Sequence, residues 1–417
     1  GAPLARLLAV APQCFPFEQR VVLFQEVVKA DREVGGWNKA PALGGQRPSI
    51  CTIRRQFLLE DALAEFAKLG SRAKGRVEIK FVNEAGLSEA GMDYGGLLKE
   101  FLEEVAKRGF DPNLAIFKAT GEGCLHPSHL AEFMDGGLAL LYLMGMVVGK
   151  CLYDGILLDI RLANFFVSSL LGANVDLEDL RSYDADLYHQ ILNVKTYEGD
   201  AEDLGLFFAV EDDIFGRHVV NELIEGGEDV AVTSSNVNLY VHLVANFYLN
   251  RQGSRSAGAF RKGLLQLVSP GWLRMFSSRD LNDLLSGPGH SDIDVDDLRR
   301  HTKYSNGYSE KSPTVVLFWK VLKSASVEER RAVMKFVTSS SRSPVLGFAS
   351  LNPPFCLSKV KCETGMFASL GLGKDADRLP SASTCFNTLK LPNFKSAKVL
   401  RQKLMYAAMS GAGFELS

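Results

Sequence analysis

One cysteine sits where a thiol could do chemistry: Cys385, inside LPSASTCFNTLKLP, residues 379–392. Pro380, Ser381, Ser383 and Thr384 precede it, small polar residues and a proline that favour an ordered loop over a helix. Phe386, Leu389 and Leu391 follow at the spacing of a short, half-buried strand. A thiol on such a loop, beside a strand edge, is within reach of an extended peptide tail. Free cysteines also pack as small hydrophobes, and activation depends on surroundings, so the local sequence leaves both readings open. Two other constellations point less far. Cys124, His126 and His129 lack a fourth ligand at finger-like spacing, and Pro127 suits a loop, so no metal site is expected. Gly91, Gly95 and Gly96 precede a helix as phosphate-binding turns do. No GK[ST] follows, so a tight turn capping a core helix is expected, and no cofactor.

The elements that must position Cys385 can be read from the rest of the chain. At 417 residues with 46% apolar content, there is enough sequence for two or three domains' worth of core. The formal charge of −2 offers no global attraction to nucleic acid or a membrane. Seven cysteines, widely spaced and without a CxxC, argue for a reducing compartment, cytoplasmic or also nuclear. The apolar run near Leu4–Ala11 lacks a charged flank and reads as no signal peptide, and Gly137–Gly149 is shorter than the ~20 residues a bilayer needs. Gly1 and the abrupt start read as a fragment of a longer protein.

Pro16 opens an amphipathic helix over Phe17–Arg32, followed by a Gly/Pro-rich linker, Gly35–Pro48. Ser49–Arg54 and Val77–Val82 alternate as strands, with a helix over Gln56–Lys68 between them. Met144–Leu171 reads as two packed helices meeting near Asp154–Gly155. Residues 176–213 turn acidic, the pattern of a solvated face. Val237–Arg251 has a wide apolar stripe at helical spacing, and Leu264–Leu285 continues as helix broken at Pro270–Gly271. GPGHS, Gly287–Ser291, is the best internal boundary. Beyond it, Asp292–Lys303, Ser312–Lys323 and Ser326–Thr338 read as helices, the last opened by a Ser326/Glu329 capping box. Short strands run from Val345 to Cys385, and Ser396–Ser410 is a final helix. The expectation is a large, mostly helical first lobe, a short hinge and a smaller α+β second lobe.

Taken together, separated motifs resemble one family in its order. VNEAGLSEAGMDYGGLLKEF, MGMVVGKCLYDGILLD, VTSSNVNLYVHLVANFYLN, YSNGYSEKSPTVVLFWKVL, KFVTSSSRSPVLGF, the Cys385 loop and the tail GAGFELS are similar to those of HECT-type ubiquitin ligases. The first helix and the FELS ending look nearest to the branch of IQ-motif-bearing and similar plant ubiquitin ligases. The resemblance implies a bilobal α+β fold: 1–48 packed on the first lobe, 49–286 as that lobe, 287–291 as hinge and 292–417 as the second lobe. It implies that Cys385 takes ubiquitin from a conjugating enzyme as a thioester and passes it to a protein substrate's lysine.

Other roles follow from the same resemblance. Thr384 is expected near the thioester carbonyl, or as a loop-shaping hydroxyl. Many relatives carry histidine where this chain has Ser383, so an imidazole role there is absent. Phe414 would anchor the tail, or simply fill a surface groove, and Glu415 and the terminal carboxylate of Ser417 are the candidates for the acid near the incoming lysine. Gly287, Pro288 and Gly289 would let the lobes turn. The conjugating enzyme is expected on an exposed apolar face within 176–258, through Tyr188, Ile191, Leu206, Tyr240 and Val244; each also fits a core position. The alternatives are a cysteine hydrolase acting on ubiquitin conjugates, which would need a histidine base, and a non-catalytic interaction module.

Overall fold

The computed structural model describes residues 11–37, 47–84, 86–87, 96–289, 292–360 and 378–410, apart from the side chain of Gln13. Gly91, Gly95, Cys362, Phe414, Glu415, Ser417 and the end of the proposed hinge, 290–291, therefore lie outside the described residues.

Helix α1, Phe17–Val34, starts after Pro16 and buries Val21, Phe24 and Val28, the stripe its spacing predicts. Arg20 ties it to Asp280 at 2.7 Å and Arg32 to Asp154 at 2.7 Å. Strand β1, Ser49–Arg54, pairs in parallel with β2, Val77–Val82. A parallel pair needs a crossover. The expected helix supplies it only in pieces, short turns of changing pitch kinked at Gly70, whose φ is 54°. Helix α2, Gly96–Gly109, follows and buries Leu98, Lys99, Phe101, Leu102 and Val105. A short hairpin comes next, β3, Phe117–Ala119, with β4, Leu125–Pro127.

The apolar block forms α3, Gly137–Asp154, and α4, Asn164–Leu171. The first helix stops at Gly155 in the left-handed region, where the sequence places its end. A nonhelical segment, 155–163, separates the two rather than a direct junction. Helix α3 runs on past Gly149 and is long and apolar enough to cross a membrane, yet 72% of it is buried inside the protein. Its packing explains two glycines. A Cβ at Gly145 would collide with Phe260 O, and one at Gly263 with Tyr142 O. Both lie where α3 meets α7, Ser254–Leu264.

The acidic stretch is more than a solvated face. Helix α5, Ala185–Lys195, is capped by Asp184, and β5, Ala209–Ile214, forms an antiparallel hairpin with β6, Arg217–Glu222. Helix α6, Val237–Asn246, ends in a wider turn, Phe247–Arg251. The expectation that this region exposes Tyr188, Ile191, Tyr240 and Val244 is corrected here. They are 8%, 6%, 6% and 1% exposed, and Leu206 packs partly buried against the same core. The stripes of α5 and α6 face inward, in the same buried cluster as Leu180, Phe208, Leu223 and Val232. The helix expected over Leu264–Leu285, with one break at Pro270–Gly271, is more interrupted than that: the preceding helix already ends at Leu264. A single turn, Pro270–Leu273, and a new helix, α8, Ser278–Ser286, follow. The breaks fall at Pro270 and at the Ser277/Asp280 capping box.

After the Gly287 segment come α9, Val295–Arg300, and β7, Lys303–Ser305, so the helix expected up to Lys303 is shorter. Then come α10, Pro313–Ser324, and α11, Val327–Thr338, with the Ser326/Glu329 capping box formed. Strands β8, Cys356–Lys359, β9, Ser381–Ser383, and β10, Thr388–Leu391, precede α12, Ala397–Ser410. The sheet order is β7-β8-β10-β9, with β8 parallel to both neighbours and β9 antiparallel to β10.

Buried side chains fall into two clusters. One runs from Val21 to Leu285 and the other from Ile293 to Ala407, so the division falls at the glycine segment the sequence singles out. Val345 and Leu346 cross it and pack against the first cluster.

Candidate active site

Cys385 lies in the single turn Thr384–Phe386 that joins β9 to β10. Ser383 and Thr388 are paired across the strands, which makes this turn the tip of a hairpin. Asn387 closes the tip with φ 47°, a left-handed conformation that asparagine tolerates better than most residues. Its side chain is fully buried and its Nδ2 donates to Pro353 O at 2.6 Å. The loop is therefore ordered, as its small polar residues predict.

The tip is seated on the N-terminal turn of α2. Cys385 Sγ donates to Glu100 Oε2 at 3.4 Å, and the other carboxylate oxygen of Glu100 pairs with Arg55 Nη2 at 2.8 Å. Lys99 Nζ donates to Thr384 O at 2.9 Å and to Asn387 Oδ1 at 2.6 Å, one on each side of the cysteine. Its third donor goes to Thr338 O at 3.2 Å. Glu103 sits one turn on, 3.6 Å from Lys99, and accepts from Ser339 Oγ at 2.9 Å. Gly96 allows the approach, because an added Cβ would stand 3.0 Å from both Cys385 Cβ and the Phe386 ring.

The electrostatics follow from this seat. Burial first, and the Glu100 carboxylate second, push the Cys385 thiol up to about 12, with Lys99 opposing. At neutral pH a group at that value is roughly one part in 10^5 thiolate. Burial also pushes the Lys99 ammonium down and the Glu103 carboxyl up from their ordinary values, each partly offset by the other.

Cys151 is fully buried in α3 and its thiol is pushed up by burial, so it packs as the sequence suggests. His301, the nearest histidine upstream of Cys385, is engaged on α9, where its Nδ1 contacts Asp297 O at 3.0 Å. His126 is buried edge-on against Phe165 at 5.1 Å, and burial pulls it down to about 4.

The structure thus brings Cys385 and Thr384 onto one tip and adds Lys99, Glu100, Glu103 and Asn387, which sequence reading missed. One signal was available. Lys99 falls among Leu98, Phe101 and Leu102 on the face that α2 buries, where a lysine needs a reason. Gly287 of the hinge segment has φ 80°, and a Cβ there would collide with Ser343 O, at 2.5 Å, and crowd Arg342. Gly289 packs against the guanidinium of Arg161.

A mixed α+β protein with two cores and a cysteine at a hairpin tip defines a class of thiol-bearing scaffold. Sequence comparison gives the family. Residues 103–417 match the HECT-domain (ubiquitin-transferase) family, and the chain belongs to it. It is 38% identical over 431 residues to the ubiquitin-protein ligase E3B of Homo sapiens, covering 99% of this chain and 40% of that protein. It is 37% identical over 413 residues to the E3 ubiquitin-protein ligase UPL6 of Arabidopsis thaliana, covering 99% of this chain and 39% of that protein. A probable E3 ubiquitin protein ligase of Schizosaccharomyces pombe is 41% identical over 404 residues, 96% of this chain and 38% of its own length. The chain spans about two fifths of these relatives. Neither the hydrolase nor the non-catalytic reading is favoured by this kinship.

Proposed function

We propose that this chain is the transferase part of an E3 ubiquitin ligase, in which Cys385 accepts ubiquitin from a conjugating enzyme and donates it to a substrate lysine. The observation that carries this reading is the thiol at the tip of the β9–β10 hairpin, in a member of the HECT family. Strand β9 is an edge of its sheet among the described residues, so an extended peptide tail has an unpaired strand beside the sulfur. Cysteine suits the reaction because thiol-to-thiol exchange needs placement more than strong activation.

The two cores are read as two lobes that change their mutual position about the Gly287–Ser291 segment. Accepting ubiquitin needs a thiolate, and a thiol held at about 12 is a poor one. The seated tip must therefore leave Glu100 to be loaded. The donor enzyme is read as docking on the 176–258 subdomain through side chains that surround the buried Tyr188, Ile191, Tyr240 and Val244. Phe207, Phe215 and Leu239 are exposed there at 46%, 62% and 51%. Thr384 is read as positioning the thioester, Phe414 as the tail anchor and Glu415 as an acid near the acceptor. Free cysteines among the described residues support a cytoplasmic or nuclear setting. The kinship with E3B and UPL6 is compatible with the IQ-motif and plant-ligase branch as its place in the family.

The test is direct. The chain is incubated with activating enzyme, a panel of conjugating enzymes, ubiquitin and ATP, then run on a gel without reductant. A thiol-sensitive adduct absent in Cys385→Ala is expected; no adduct with any donor, or one that survives the substitution, sinks the reading.

A further inference from the structure

Lys99 is 7% exposed, and its ammonium is the most fully bonded buried charge at the site. An ammonium has three donors. All three are used, on Thr338 O, Thr384 O and Asn387 Oδ1. Lys99 belongs to the first core's helix α2, while its acceptors all belong to the chain beyond the glycine segment. Two of them bracket Cys385. Asn387 is held from its other end by Pro353 O at 2.6 Å, so it relays the Lys99 contact into the scaffold of the sheet. Glu103 completes the arrangement by meeting Lys99 and Ser339.

A buried ammonium is costly unless it is paired and hydrogen-bonded. When the Cys385 tip leaves α2, Lys99 loses two of its acceptors. The seat is therefore a specific recognition of the loop's backbone and of Asn387. It bears differently on the two half-reactions. Loading needs a thiolate, which the seat suppresses. Discharge starts from a neutral thioester and a lysine that arrives as a cation, reference pKa ~10.4. The anionic Glu100 beside the sulfur repels a thiolate and attracts an ammonium. In discharge the lysine nitrogen bonds to the thioester carbonyl carbon and the carbon–sulfur bond breaks. One ammonium proton goes first to water, which frees the lone pair that attacks; the sulfur then leaves with the carbon–sulfur electron pair and takes the second proton.

The geometry points to Lys99 as a positioning residue for discharge: with Asn387, it seats the Cys385 loop on α2 for attack by lysine, a pose the loading step does not use. This rests on Cys385 being the nucleophile. The two half-reactions are measured separately, as thioester formation from charged conjugating enzyme and as release of preformed thioester to free lysine. Lys99→Met and Asn387→Gly are expected to load at the parent rate or faster, while discharge slows about 10- to 100-fold. The double variant is expected to discharge faster than the product of the two single effects predicts, because the two residues share the Lys99 Nζ–Asn387 Oδ1 bond. Asn387→Gly keeps the left-handed turn that glycine adopts freely, so it carries the test if Lys99→Met does not fold by its melting curve. Equal slowing of both steps, or normal discharge in Asn387→Gly, would overturn the inference. A parent chain with no Cys385-dependent adduct would remove the nucleophile reading, and this inference with it; that failure is visible before any discharge is measured.

Discussion

At the scale of the residue, the thiol's environment opposes its reactivity in the seated pose. Glu100 is the specific charge responsible, after burial. Glu100→Gln should therefore bring the Cys385 thiol down, which moves the alkylation profile to lower pH, since only the thiolate reacts. The sign is fixed: the parent's rate keeps rising with pH toward about 12, and the variant's rises earlier. Alkylation by iodoacetamide, with Cys385 followed by peptide mass spectrometry, checks it; an unchanged profile would mean that Glu100 does not govern this thiol. Cys385 itself could be found from its motif. Glu100 could not be paired with it, because 285 residues separate them and nothing in either segment names the other.

At the scale of the element, helix boundaries were legible where side chains or glycine end a helix locally. The Ser326/Glu329 box and the Gly155 stop are of that kind. The inward facing of α5 and α6 was not legible, because an apolar stripe looks the same whether it meets a core or a partner. Close helix contact was also hidden, since a glycine inside a helix reads as a defect until its neighbour is known. Gly145 and Gly263 each face a carbonyl of the opposite helix. Gly145→Ala or Gly263→Ala should destabilise the chain by about 1–3 kcal/mol through overpacking, outweighing the better helix propensity of alanine. Chemical denaturation measures this; variants as stable as the parent would show that α3 and α7 can separate without cost.

At the scale of the whole molecule, exposed and buried ion pairs differ in worth. Lys335 meets Asp159 at 2.6 Å, but the lysine is 62% exposed, and such pairs contribute about 0–1 kcal/mol. Lys99 and Glu103 are buried, and removing one partner of a buried pair costs about 3–5 kcal/mol. Asp159→Asn should leave the denaturation midpoint nearly unchanged, whereas Glu103→Ala should lower it markedly. Similar shifts in both would contradict this ranking. The glycine segment constrains how hinge motion can be tested. Gly287 has φ 80°, which proline cannot adopt, so Gly287→Pro would disturb the fold instead of simply stiffening a hinge. The sequence by itself determined the family, the thiol, the helical and strand periods and the place where one core gives way to the next, because those depend on residue type and on neighbours a few positions away. Only the tertiary structure decided that the Cys385 tip rests on α2, with Lys99 bracketing it and Glu100 facing its sulfur. That outcome depends on hydrogen bonds and desolvation between segments far apart in the chain, and neither leaves a period to read.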